Sequence, residues 1–342
     1  MIEPRKPRTI AHLSTSRRRS SLIHAADALV TLERRPQRPA SGWILAVDIG
    51  GTKVRACLAN RRGEVVVETV EQTELGGADE LIDQIAALYR QLCARSGVAG
   101  IRADAGCIGV PASYHDDVDR AANADNLPGL HAMAPRAAFG RALGIPIAIA
   151  QDTRLAAVAE RWRGCARGWD DYVVICIGTG VSMGLVINGE LYPGGRGEAG
   201  EIGRLPIGDG PFPTETGIPR AFETSVSGEG IRRRALIAGN LPATAEELFA
   251  SAQSGNPTAQ RHVEHEAHLI SLGIVAVSAT IDPGLFVLGG GIGSNPVLLG
   301  PVRERVGLAM ARPPRIEASV LGDAGPMFGA VAVALSVIGL AR

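Results

Sequence analysis

The chain has 342 residues, more than a single hydrophobic core usually serves, so two domains or one split around a cleft is expected. Lys plus Arg and Asp plus Glu number 35 each, 46% of residues are hydrophobic and 4% are aromatic, which carries no global sign of a nucleic-acid binder. No apolar run reaches the roughly 18 to 20 uncharged residues of a membrane span, and the five cysteines are scattered without a CxxC pair, so a cytoplasmic protein with reduced thiols is expected.

Residues 1–42 stand apart, with nine Lys or Arg against three acidic residues and interspersed Pro and Ser. Such a stretch reads as a basic, solvated tail. A DNA-contacting remnant with a helix over 22–35 is the other reading, but one amphipathic helix does not make a helix-turn-helix. From Trp43 onward strands and helices alternate. ILAVDIGG (44–51) is a buried strand ending in a glycine pair, KVRACLA (53–59) alternates as a second, and VVVETVE (65–71) reads as a third. ADELIDQIAALYRQLCARSG (78–97) has helical periodicity and stops at Gly97, and AGCIGVP and IPIAIAQD are further short strands. This order indicates an α/β fold.

The chain also repeats itself. An offset of 128 residues lays Ile49-Gly50-Gly51-Thr52 over Ile177-Gly178-Thr179-Gly180, each after an apolar strand, and Asn60 over Asn188 at the following turn. Two related halves facing each other are expected.

Three glycine-rich segments carry the first chemical signal. DIGGTK (48–53) fits neither a Walker loop nor a Rossmann turn, because a strand rather than a helix follows. Its Gly50, Gly51, Thr52 and Lys53 instead form a hairpin tip where phosphate oxygens approach backbone N–H groups, with Asp48 placed to hold a hydrated Mg²⁺. Gly178, Thr179 and Gly180 are the matching loop, and Gly289, Gly290 and Gly291 follow the strand GLFVLGG. Each alone is as well read as a tight turn; a nucleotide clamped between two domains explains them together.

DIGGTKVRACLA, IAQDTRLAAVAE, CIGTGVSMGLVINGELYPGGRGEAGEIGR and DPGLFVLGGGI resemble the ROK family (repressors, open reading frames, kinases) of the sugar kinase, hexokinase and actin-like ATPase superfamily. The likeness extends over about residues 43–338. It implies a duplicated ribonuclease-H-like α/β fold, with domains at 43–151 and 152–324 and a closing helix at 325–340 that packs back on the first. It further implies ATP, Mg²⁺ and a sugar as ligands and a homodimer, while composition and the lack of a membrane-length apolar run speak against a membrane partner and make nucleic acid an unfavoured one. Asp152 matches the family's catalytic base; the bare residue also reads as a helix N-cap, and the two roles are compatible.

The sugar contacts that the resemblance implies fall on Asn126, Gln151, Glu201, Arg204 and Glu223. Two depart from the family pattern. Gln151 stands where Asn is usual, and Arg204 stands where zinc-bearing members have a metal-binding His. Their three cysteine positions fall on Thr214, Thr216 and Ala221, so no such zinc site is expected although the loop keeps its length. Arg204 then reads as an ion-pair clasp with Glu201 or Glu223, or as a contact to an acidic or strongly accepting substrate group. HVEHEAH (262–268) reads as a solvated helix face rather than a metal site, and Cys107 and Cys176 as inert strand-core thiols.

The base Asp152 and the three glycine loops favour a sugar kinase acting on a hexose or N-acylhexosamine. The basic head is the support for a sugar-responsive transcriptional regulator, and Gln151 and Arg204 for a kinase-like protein that binds sugar without turnover.

Overall fold

The computed structural model describes residues 42–340 apart from 99, 123, 125, 126, 209–220 and 239–243. The basic tail preceding Gly42, with the segment 22–35 that the alternative reading took as a helix, therefore lies outside the described residues, as does Asn126.

Two five-stranded sheets carry the fold. The first contains β1 (Trp43–Ile49), β2 (Lys53–Asn60), β3 (Val65–Gln72), β4 (Ala103–Val110) and, after the small hairpin of β5 (Ser113–His115) and β6 (Arg120–Ala122), β7 (Ile147–Gln151). Its order is β3-β2-β1-β4-β7, an antiparallel meander joined to two parallel strands. The second contains β8 (Tyr172–Ile177), β9 (Val181–Ile187), β10 (Glu190–Leu191), β11 (Leu285–Gly289) and β12 (Arg315–Ala318), ordered β10-β9-β8-β11-β12 with the same orientations. The 128-residue offset thus lays one hairpin on the other, with Ile49 ending β1 and Ile177 ending β8. Asn60 closes β2, and Asn188 follows β9 in the left-handed region at φ 53°, a conformation Asn tolerates in tight turns.

Helices fill the remaining layers: α1 (Ala78–Arg95), α2 (Pro135–Leu143), α3 (Asp152–Arg163), α4 (Ala221–Val226), α5 (Gly228–Ala238), α6 (Ala245–Gln253), α7 (Pro257–Ile281), α8 (Gly290–Gly293), α9 (Pro296–Ala309) and α10 (Gly325–Leu340). In α1 the apolar residues recur at three- and four-residue steps, so Leu81, Ile85, Leu88 and Leu92 bury one face, while Asp79 and Glu80 open the helix and Arg95 closes it. Gly97 sits just beyond at φ 71°. The long α7 starts at Asn256, whose side chain accepts from Thr258 N (2.9 Å) and Ala259 N (3.1 Å), ahead of Pro257 in the first turn.

Strand alternation distributes side chains between layers. In β1, Leu45, Val47 and Ile49 pack with α1, while Ile44 and Ala46 join Tyr172 and Val174 of β8 in a shared core with α3 and α10. Val173, Ile175 and Ile177 face the other way, into the core with α7 and α9. The two sheets therefore meet across α3 and α10. These helices cross closely: a Cβ on Gly329 would lie 1.9 Å from the Leu155 carbonyl oxygen. The closing helix packs on β1 and β4 and equally on α3, so it joins both halves.

Two local expectations differ from the fold. The strand read over 53–59 does not alternate in burial, since Ala56 to Ala59 are all buried in the interior of the first sheet. In HVEHEAH, Glu264, His265 and His268 are exposed as read and His262 is half-buried, but the segment also turns a second face inward. Within α7, Val263, Glu266 and Ala267 are buried and Glu266 is 0% exposed, paired with Arg234. A carboxylate inside a helix reads as surface until a distant cation is brought to it.

Candidate active site

β1 delivers Asp48 to its C-terminal end, where it lies opposite Arg55 on β2 and Gly109 on β4. A Cβ at Gly109 would come within 3.2 Å of an Asp48 carboxylate oxygen, so the missing side chain leaves that carboxylate its room. The hairpin that follows is closed by Gly50 N donating to Lys53 O (2.8 Å), and Thr73 Oγ1 donates to Gly50 O (2.7 Å). The matching tip after β8 is closed by Gly178 N donating to Gly180 O (3.0 Å).

β7 delivers the next group. Gln151 is the N-cap of α3 and Asp152 its first residue, so the N-cap reading of Asp152 is off by one. Asp152 Oδ1 accepts from Thr153 N (2.6 Å) and Thr153 Oγ1 (3.2 Å), and Thr153 Oγ1 shares a further hydrogen bond with Ser182 on β9. The carboxyl is thereby fixed by the helix start and by the second sheet at once.

Across from it, Glu201 Oε1 accepts from Ser113 Oγ (2.7 Å) and Gln151 Nε2 (3.4 Å). Glu223 lies at the start of α4, where its Oε2 accepts from Val181 N (2.9 Å) beside Gly180. Among the described residues Arg204 pairs with Glu198 (3.3 Å) rather than with Glu201 or Glu223, so the clasp read from the sequence has a different acidic partner.

One cavity of about 930 Å³ collects these groups. Asp48, Gly50, Gly51, Thr52, Lys53, Gln151, Asp152, Gly178, Thr179, Gly180, Glu201, Glu223, Gly289 and Gly290 all line it. Arg204 and Gly291 are not among its lining residues. Gly291 lies within the short α8 and is exposed, whereas Gly290, at φ 76°, presses on the Ile177 carbonyl, where a Cβ would lie 2.4 Å away.

Burial and shared negative charge set the electrostatics. Asp48 is pushed up to about 7, first by burial, then by Asp152, against the opposing pull of Arg55. Asp152 is raised to about 6 by burial, partly offset by the Thr153 hydrogen bonds. Cys176, expected to be sealed in a strand core, is half-buried and lines the cavity; burial and Asp152 push its thiol up to about 12, so it is no nucleophile.

Sequence reasoning passed over Ser113, Thr153, Ser182, Ser227, Arg233 and Asp323, all of which line the cavity. Thr153 and Ser227 carried a readable signal, one directly after Asp152 and the other opening a Gly-rich helix start. Ser113, Ser182 and Asp323 arrive only through sheet topology.

The ROK family model matches residues 44–337, spanning both hairpins and α10. The chain belongs to the ROK family. This ROK chain is 33% identical over 83% of its length to a bifunctional enzyme NanE/NanK of Brucella suis, of which it spans about half (52%). It is 28% identical to a glucokinase of Halalkalibacterium halodurans over 77% of this chain and 84% of that one. Among solved structures, a ROK family glucokinase from Streptomyces griseus in complex with glucose and AMPPNP matches with a TM-score of 0.71 and 25% identity, over 86% of this chain and 99% of that one. The ROK chain thus has the actin-like ATPase fold, two ribonuclease-H-like halves around a cleft. Among its described residues no helix is long and apolar enough to cross a membrane.

Proposed function

We propose that this ROK protein is an ATP-dependent sugar kinase that transfers the γ-phosphate of ATP to a hydroxyl of a hexose or N-acylhexosamine. The observation that carries the reading is the single cavity that holds a partly buried Asp152, glycine hairpin tips from both sheets, and the carboxylates Glu201 and Glu223. Phosphoryl transfer asks a protein mainly for positioning and charge neutralisation, with one base for the attacking hydroxyl. The named relatives, a NanE/NanK, a glucokinase and a glucose and AMPPNP complex, support the same chemistry.

In this reading Asp152 accepts the proton of the sugar hydroxyl as it attacks. Its carboxylate form is the active one, and Thr153 aims it. Glu201 and Gln151, with Ser113 behind them, accept and donate to sugar hydroxyls, and Glu223 does so from beside Gly180. Asn126 and Arg204 remain sugar-side candidates, Arg204 acting through the loop it ties to Glu198. The tips at Gly50 to Lys53 and Gly178 to Gly180, with Gly289 and Gly290, receive the phosphates on backbone N–H groups, and Gly291, outside the cavity lining, is left out of this set.

Asp48 suits a divalent cation. Burial and Asp152 disfavour its charged form and Arg55 offsets them only in part, so water-mediated contact with a Mg²⁺ would stabilise the carboxylate. When bound, that ion supplies charge neutralisation on the transferring phosphate. The reading also takes residues 43–151 and 152–324 as two lobes, a homodimer as the assembly and the cytoplasm as the compartment.

A coupled assay of ADP release across hexoses and N-acylhexosamines tests the proposal, with Asp152→Asn as control. Sugar-dependent ADP release that drops by about 10²- to 10⁴-fold in the variant is expected. Absence of sugar-stimulated turnover with every sugar, under conditions where ATP binds, would overturn it.

A further inference from the structure

The sequence RRR (232–234) in α5 divides by partner. Arg232 is held by Glu229, with Nε and Nη2 donating at 2.7 and 2.5 Å, and Arg234 is bound to the buried Glu266 and the Ser225 carbonyl. Arg233 is exposed, lines the cavity, and has no ion-pair partner among the described residues. Three neighbouring cations therefore include two with protein partners and one facing the cleft.

The helix fixes what Arg233 can reach. Gly228 N donates to Gly178 O (2.8 Å), so α5 begins against the second glycine hairpin tip. Glu229 and Gly230, four and three residues before Arg233, share its helix face and line the same cavity. Helical side chains lean toward the N-terminus, so a long guanidinium at 233 covers the turn at 229–230 and points back to the Gly178 tip. The Glu229 carboxylate is neutralised by Arg232, which leaves Arg233 as net positive charge at that end. The start of α5 is itself closed, with Gly228 N donating to Gly178 O and Gly230 N to Ser227 Oγ (3.3 Å), so the Arg233 side chain supplies the positive charge there.

Resting on the kinase reading above, we propose that Arg233 binds the phosphate chain of the phosphoryl donor, as a second cationic contact beside the glycine tips, and takes no part in holding the sugar. The ligand class is a nucleoside di- or triphosphate, recognised through its phosphates. A planar guanidinium makes paired hydrogen bonds to phosphate that a point charge does not, so lysine replaces it only in part.

Calorimetric titration of the full chain with MgADP and with adenosine, for the wild type, Arg233→Lys and Arg233→Ala, tests the assignment. ADP affinity is expected to fall about tenfold or more in Arg233→Ala and less in Arg233→Lys, with adenosine affinity changed by less than about twofold. In kinetics the KM for ATP rises by the same factor while the KM for sugar stays put. Equal losses for ADP and adenosine, or no loss for either, would overturn the role while leaving the kinase reading intact. A wild-type chain that binds no ADP would overturn both. The side chain is exposed, so loss of folding does not confound the result; unchanged melting temperatures of the variants confirm this.

Discussion

Asp48 near the end of β1 and Asp152 just after β7 face one cavity, and burial is the first cause that raises each above the ordinary carboxyl range, with Asp152 adding to it for Asp48 and Glu201 for Asp152. For a base the active form is the carboxylate. A carboxyl titrating near 6 therefore predicts a kcat/KM that rises with pH through about 6 and is flat above it. Thr153→Val removes the hydroxyl bond to Asp152 Oδ1 while keeping the backbone one. The expected outcome is a several-fold lower kcat and an acid limb moved to higher pH, because the lost bond favoured the charged form. Asp48→Asn separates stability from function. The folded protein holds the Asp48 proton up to about 7 and the unfolded chain releases it near 4, so the native carboxylate is destabilising across and above that window. The variant is expected to be inactive yet more stable at pH 8 without ligand, by about 1 to 3 kcal/mol, measured by urea unfolding.

At the scale of elements, α3 does two things at once. It begins with Asp152, and two residues on it carries Arg154, 3% exposed, whose Nη2 donates to Gly197 O (2.6 Å) and Pro193 O (3.4 Å). That loop leads directly to Glu201. Arg154→Met should therefore raise the sugar KM by about tenfold or more while the ATP KM moves little, because the carbonyls it held lose their partner and Glu201 its placement. The crossing of α3 and α10 has no room to spare at Gly329. Gly329→Ala, although alanine favours helix, is expected to lower stability by about 1 to 3 kcal/mol through overpacking, read from the thermal midpoint.

For the whole molecule the notable feature is how much negative charge the fold buries. Asp48, Asp152 and Glu266 are all raised, Glu266 to about 8 by burial against the pull of Arg234. Each binds a proton in the folded state that the unfolded chain has lost, so stability falls as pH rises from about 4 toward 8. The ligand-free protein should melt at a lower temperature at pH 8 than at pH 6. MgATP with sugar should recover most of the difference attributable to the cleft and none of that from Glu266, which lies outside it. Scanning calorimetry across pH, with and without ligands, checks both halves.

Much of this protein is determined by short-range pattern. Apolar strands ending in glycine, a hairpin instead of a helix after each, and the same turn 128 residues later are local facts, and they suffice for the duplicated fold and the glycine tips, whereas Asp152 was singled out by the family likeness. The family likeness then located Gln151, Glu201 and Glu223, all of which reach the cavity. What the sequence left open is which partner each charge takes. Among the described residues Arg204 finds Glu198 instead of Glu201 or Glu223, Arg234 finds a carboxylate 32 residues away inside a helix, and Ser113 reaches Glu201 from the small β5–β6 hairpin. Charges and hydroxyls carry no periodicity that names their partners, because the pairing depends on how the two sheets are set across α3 and α10. Only the tertiary structure decides that.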